Sequence, residues 1–166
     1  MEAELKSDVD MDDVLKKIGK VCAQFQYIET QVALATMSMV GEQQQIGQAI
    51  TSVLPFSRLC DVFLALVKTL STDSEFIEHC ISVIKDAGRV EQSRNLVVHS
   101  NVVIDEGGNV GRVKSKVRRK HGLTVDSDFD YMATLDEILV EMTTLTHKLK
   151  ELQKRGQRLG LFRAPT

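Results

Sequence analysis

Two side chains five positions apart, Arg94 and His99, are the best equipped for chemistry in this 166-residue chain. They lie in the segment Glu91-Gln92-Ser93-Arg94-Asn95-Leu96-Val97-Val98-His99-Ser100. An arginine offers a permanent, forked cation that fits phosphate oxygens. A histidine takes up and returns a proton near neutral pH. Together they supply what an RNA 2′-hydroxyl needs to attack its own phosphate. A base removes the hydroxyl proton, a cation steadies the phosphorane charge, and an acid protonates the leaving oxygen. The same spacing also fits a purely structural reading, with Arg94 in a surface ion pair and His99 favoured by the negative end of a helix dipole. Five residues of helix turn through roughly 140° and climb about 7.5 Å, so the two do not share one face. They would converge on one phosphate through the reach of Arg94, a distorted helix end or a second subunit.

A second feature is cationic. Arg112, Lys114, Lys116, Arg118, Arg119 and Lys120 place six Lys/Arg within nine residues. Such a run tracks a phosphate backbone by non-specific contacts. In an extended conformation its alternation sets Arg112, Lys114, Lys116 and Arg118 on one side of a strand. The alternative is a solvated strand edge that its lysines keep from pairing. No aromatic residue interleaves the run, so base stacking is not indicated there. The run belongs to a polarity along the chain. Residues 1–99 hold nine Lys/Arg against 14 Asp/Glu, whereas residues 100–166 hold 12 against nine. An anionic partner would meet the second stretch.

The elements that position these residues are helical. Apolar residues recur at Val14, Ile18, Val21, Phe25, Ile28, Val32, Ala35 and Met39, in steps of four and three, as one face of a long helix requires. Ser7 or Asp8 is placed to cap it, and Gly41 to end it. A short helix is expected over 42–52, then a break at Leu54-Pro55 and a helix with Leu59, Val62, Phe63, Leu66, Val67 and Leu70 inward. A capping cluster at 71–74 opens a third long helix that carries Phe76, Ile77, Cys80, Ile81, Ile84, Ala87 and Val90 and reaches His99. Residues 101–125 have β-branched runs about a glycine-rich turn and read as a short β-hairpin or an extended excursion. Ser127 or Asp128 would cap a last helix with Met132, Leu135, Leu139, Met142, Leu145, Leu149 and Leu152 on one face. The reading is an all-α fold, a four-helix bundle with that insertion between the third and fourth long helices. It makes one domain over 1–166, with loose ends at 1–7 and 156–166 and a basic insertion at 101–125.

Composition narrows the classes. With 43% apolar and 27% charged residues the chain has globular proportions. No tryptophan and only two prolines speak against aromatic-rich or proline-punctuated β folds. The longest uncharged, mainly apolar stretch, 30–41, is short of the roughly 20 residues of a membrane span. No secretory signal is visible at the acidic beginning, so a cytoplasmic location without membrane attachment is expected. Cys22, Cys60 and Cys80 lack C-x-x-C spacing and read as buried, reduced thiols. Phosphate-binding glycine loops, nucleophile elbows and zinc-binding or di-iron ligand spacings are all missing, so no metal or other cofactor is expected.

Arg94, the polar Asn95 and His99, late in a long helix of an expected four-helix bundle, resemble the signature of the HEPN superfamily. The first-helix pattern, the Gly41 break and the run from Leu54 to Leu66 also look like small HEPN-type proteins. The resemblance spans about residues 11–100 and has no counterpart for 101–125. It implies a dimeric, metal-independent ribonuclease in which the motifs of two subunits form one site. His99 would be general base or acid, Arg94 the phosphate-binding cation, and Asn95 would orient His99 or hold the RNA backbone. Ser93 and Ser100 would be minor donors. The implied setting is a toxin or defence effector with RNA as substrate and a cognate inhibitor protein as partner. The family also contains inactive members, so a non-catalytic dimeric module that binds RNA, a nucleotide or a protein is the alternative.

Overall fold

The structure is a computed structural model that describes residues 10–40, 44–105, 109–118 and 122–162, with the backbone alone at 44, 116–118 and 122. It is mostly helical. In order the elements are α1 (Met11–Val40), α2 (Gln44–Thr51), α3 (Phe56–Leu70), α4 (Ser74–Val98), β1 (Asn101–Ile104), β2 (Val110–Arg118), β3 (Gly122–Asp128) and α5 (Tyr131–Arg158). The expected caps Ser7 and Asp8, the Gly41 break, Arg119, Lys120 and residues 163–166 lie outside the described residues.

Local chemistry explains where the helices begin. The Asp12 amide donates to the Asp10 carboxylate at 3.0 Å at the start of α1. Pro55, with its fixed φ of −58°, precedes the first residue of α3. Asp73 caps α4 by accepting from the Phe76 amide at 2.9 Å. That bond, helped by Arg155, holds the Asp73 carboxyl below its ordinary range.

The apolar stripe of α1 is buried at Val14, Val21, Phe25, Ile28, Val32, Ala35 and Met39, with Ile18 partly so. It packs on α2, α3, α4 and α5, and α4 packs on α3 and α5. These stripes close on one core in which Phe63, Phe76, Tyr131, Leu135 and Met142 are fully buried. Two details depart from the sequence reading. Leu70 is exposed at the end of α3, and Val83 of α4 is buried. Cys22 is also exposed, whereas Cys60 and Cys80 are buried. Position 22 follows Val21, and one residue of helix rotates about 100° away from the stripe.

Burial pushes both inner thiols up to about 12, Cys60 with help from nearby carboxylates and Cys80 against the charge of Arg155. The expected result with a thiol reagent at pH 8 is one fast equivalent per native chain, carried by Cys22, and three in denaturant. Fast modification of Cys22→Ser would contradict this.

Residues 101–128 form more than a hairpin. Three strands make an antiparallel sheet in the order β1-β2-β3. In it Val102 pairs with Arg112, Arg112 with Asp128, and Lys114 with Asp126. The strand β3 continues through Asp128, so the cap expected there is displaced. Asp130 is the N-cap of α5 and makes no side-chain capping bond. Asp128 instead accepts from the Asp130 amide at 3.0 Å and from the Thr134 hydroxyl at 2.7 Å, tying the strand end to the first turn of α5. Gly111 is required in this corner, since a Cβ there would lie 2.5 Å from the Phe129 ring.

The far end of α5 has a similar constraint. A Cβ on Gly156 would sit 2.3 Å from the ring of Phe162, which is buried against Phe63 and Phe76. Gly156→Ala is expected to cost about 1–3 kcal/mol by displacing that ring. A urea midpoint unchanged from the parent would contradict the packing.

Candidate active site

Arg94 lies in the last turns of α4, and its guanidinium carbon rests 4.2 Å from the centre of the Phe25 ring of α1. Phe25 in turn meets Phe56 of α3 edge to face at 5.0 Å. The arginine is thus held by a ring that the core already immobilises. It is half-buried, and its Nε is wholly buried without an acceptor among the described residues. The other arginines whose side chains are described all find an oxygen: Arg58 on Asp61, Arg89 on Asp86, Arg112 on Asp126, Arg155 on Asp73 and Glu75, and Arg158 on a main-chain carbonyl. Arg94 has no such oxygen among the described residues. The surface ion pair that the spacing also allowed is therefore not what holds it.

The charges around Arg94 come from three helices. Burial raises the Glu91 carboxyl above its ordinary value, Arg94 pulls it back, and Glu29 of α1 pushes it up again. Burial raises the Cys60 thiol of α3 first, and Glu91 and Glu29 add to it. Arg94 is therefore a cation over an aromatic platform, with a partly desolvated carboxyl one turn earlier on its own helix.

Five residues on, the geometry opens to solvent. His99 is the C-cap of α4, with φ −106° and ψ 19°, and its amide donates to the Asn95 carbonyl at 3.2 Å. Its side chain is exposed and has no hydrogen-bond partner among the described residues. Lys114 of β2 reaches the same Asn95 carbonyl, with its Nζ at 3.3 Å. A cation at the carbonyl end of a helix is favourable there. Asn95 thus serves through its main chain, and its amide makes no hydrogen bond to His99. The Ser100 hydroxyl donates to the Leu96 carbonyl at 2.5 Å and is committed to the helix end.

Within one chain Arg94 packs against Phe25 while His99 faces solvent, and no hydrogen bond joins them. This is the divergence that a five-residue separation on a helix dictates.

The structure also divides the cationic run. Arg112 is 7% exposed. It donates to Asp126 at 3.0 Å and lies 3.6 Å from Asp128. The reading of Arg112 as a solvent-facing phosphate contact is corrected by this burial: its side of the strand faces the helices. Burial raises the neighbouring Tyr131 phenol, Arg112 opposes that shift, and the hydroxyl has no hydrogen-bond partner among the described residues. Lys114, on the same side of β2, stays partly accessible beside α4. The side chains of Lys116 and Arg118, like Arg119 and Lys120, lie outside the description.

Phe25 as the platform for Arg94 was not legible in the sequence, because its place in the apolar stripe explains it as core. The partners of Arg112 had a signal. Asp126 and Asp128 repeat the two-residue alternation of the cations with opposite sign, as cross-strand pairing of unlike charges requires. Among the described residues, no group of three or more His, Cys, Asp or Glu is placed to hold a metal ion. No described helix is long and apolar enough to cross a membrane. No protein-family model, curated protein or solved structure matches the chain.

Proposed function

We propose that this protein is a metal-independent endoribonuclease of HEPN type, acting as a dimer on RNA. The observation that carries the reading is the state of Arg94: stacked on Phe25, without a bonded carboxylate among the described residues, and on the same helix end as an exposed His99. An arginine with an intramolecular acid partner has spent its charge. One positioned by an aromatic ring keeps its terminal N–H groups for a phosphate. The four long helices α1, α3, α4 and α5 are read as the family's bundle, with α2 and the sheet as additions.

In this mechanism His99 takes the proton from the 2′-hydroxyl, and that oxygen attacks the adjacent phosphorus. Arg94 steadies the pentavalent charge, with Lys114 as a further cation nearby. The 5′-oxygen leaves with a proton, and a 2′,3′-cyclic phosphate remains. Since Arg94 and His99 diverge in one chain, the groove would combine Arg94 of one copy with His99 of another. A cytoplasmic toxin or defence effector restrained by a cognate inhibitor protein is the setting this activity fits.

The test is incubation of tRNA and mRNA with the protein in EDTA, with the product ends analysed. Cyclic phosphate ends that disappear in His99→Ala support the reading. Absence of cleavage, or equal cleavage by the variant, overturns it. The outward position of His99 favours a second reading, a dimeric RNA-, nucleotide- or protein-binding module without catalysis. In that case RNA retention would survive His99→Ala with no cleavage by either protein.

A further inference from the structure

Six cations with described side chains are wholly or partly withdrawn from water: Lys17, Arg94, Arg112, Lys114, Lys148 and Arg155. A charge that loses water ordinarily gains a carboxylate in its place. Four of the six do so. Lys17 meets Asp136 at 2.6 Å, Arg112 meets Asp126 at 3.0 Å, Lys148 meets Asp86 at 2.6 Å, and Arg155 meets Asp73 at 3.3 Å. Arg94 has the Phe25 ring instead, and Lys114 a main-chain carbonyl. Neither has a carboxylate within ion-pair distance among the described residues. Both belong to the last turns of one helix, since Arg94 is part of α4 and Lys114 bonds the next residue, Asn95.

The sheet delivers Lys114 to that place. Val110, Arg112 and Lys114 alternate along β2, so they share the side that turns to the helices. Val110 and Arg112 are buried there, and Arg112 stands between Asp126 and Asp128. With the strand anchored at Arg112, Lys114 starts about 7 Å further along it and reaches the end of α4. The carboxylate opposite Lys114 in the ladder, Asp126, is bonded to Arg112. The ammonium uses one N–H on the Asn95 carbonyl, at 3.3 Å, which leaves two without an acceptor among the described residues. The same oxygen accepts the His99 amide at 3.2 Å. Two bonds to one oxygen set the ammonium beside the main chain of His99.

We propose that Lys114 binds a backbone phosphate of RNA, on the half of the groove that holds His99. The inference rests on the ribonuclease reading for its substrate and adds the sheet to the site, although residues 101–125 lie outside the resemblance to the HEPN family. Charge selects the ligand. The carbonyl end of a helix carries only about half an elementary negative charge, so it balances a lysine in part. A phosphate oxygen supplies the rest and takes the N–H groups left over. Arg94 and His99 act on the phosphate that is cut. Lys114 holds the strand beside them, so it sets affinity rather than turnover.

RNA binding by the His99→Ala protein, followed against salt concentration, tests this without requiring cleavage. In that background Lys114→Ala is expected to weaken binding about fivefold. It should also make the fall of log affinity with log salt shallower by about 0.7, the share of one phosphate contact on a single strand. Lys114→Arg should keep both. Lys114→Gln retains an N–H for the Asn95 carbonyl and loses the charge, so it should bind like Lys114→Ala with an unchanged urea midpoint. Lys68, exposed in the last turn of α3 just before α4 begins, controls for net charge, and Lys68→Ala should leave the salt slope as it is. With His99 intact, the loss in Lys114→Gln should appear in KM and leave kcat near that of the parent. Parental RNA affinity and salt slope in Lys114→Gln overturn the proposal, as does an equal loss in Lys68→Ala or a parent that binds no RNA. Failure of the ribonuclease reading looks different: the parent does not cleave, while the Lys114 effects on binding persist.

Discussion

Replacing His99 by alanine is expected to lower RNA cleavage by about 10²–10⁴-fold, the range that a positioned acid–base group contributes. The fold survives the change, because the imidazole is exposed and contacts no described acceptor. Helix α4 keeps its last turn through the main-chain bond from residue 99 to Asn95. Arg94→Ala is expected to lose cleavage as well, with a different signature. It removes phosphate stabilisation and also uncovers the Phe25 ring, so a modest loss of stability accompanies it. Arg94→Lys separates the two effects. The cation remains, while the fork and the planar stack are lost, and cleavage falls further than stability does. If the groove is shared between copies, mixing inactive Arg94→Ala with inactive His99→Ala should restore part of the activity. Such mixtures carry one intact set of groups, and failure to recover activity would place both groups within one chain or outside the chemistry.

Replacing Arg112 by alanine is expected to destabilise the protein by about 3 kcal/mol, close to the cost of breaking a largely buried ion pair from one side. The arginine is 7% exposed and the Asp128 side chain 20%, whereas Asp126 is half in water. The penalty therefore comes mainly from Asp128, left in a desolvated corner with Thr134 as its remaining side-chain partner. Asp128 also joins β3 to α5, so the loss spreads from the sheet to the helix start. Arg112→Met should recover part of the deficit by filling the space, and Asp128→Asn should cost less in the Arg112→Met background than alone. Urea denaturation checks the whole set. A change below about 0.5 kcal/mol for Arg112→Ala would mean that water already serves these groups.

The helices were legible because their information is local. A stripe such as 14-18-21-25-28-32-35-39 has meaning only on a helix, and each break carries its own marker, Pro55 before α3 and Asp73 before α4. The third strand was hidden for the opposite reason. Residues 122–128 are short and polar by composition, and their alternation becomes informative only once Asp126 and Asp128 are set against the cations of β2. The same holds for Cys22, which looked apolar by neighbourhood and is exposed because helical rotation separates it from Val21.

What the sequence by itself determined is the set of helical stripes, the markers before α3 and α4 and the placement of Arg94 and His99 at the end of one helix. Each of these depends on neighbours within a turn or two. Only the tertiary structure decided what those residues meet. Phe25, 69 positions before Arg94, became its platform because α1 and α4 pack together. Arg112, read as a cation for a phosphate, became an internal strut because its side of β2 turns toward the helices and two aspartates stand opposite. Burial and charge pairing are set by which surfaces meet, and no local spacing along a chain contains that.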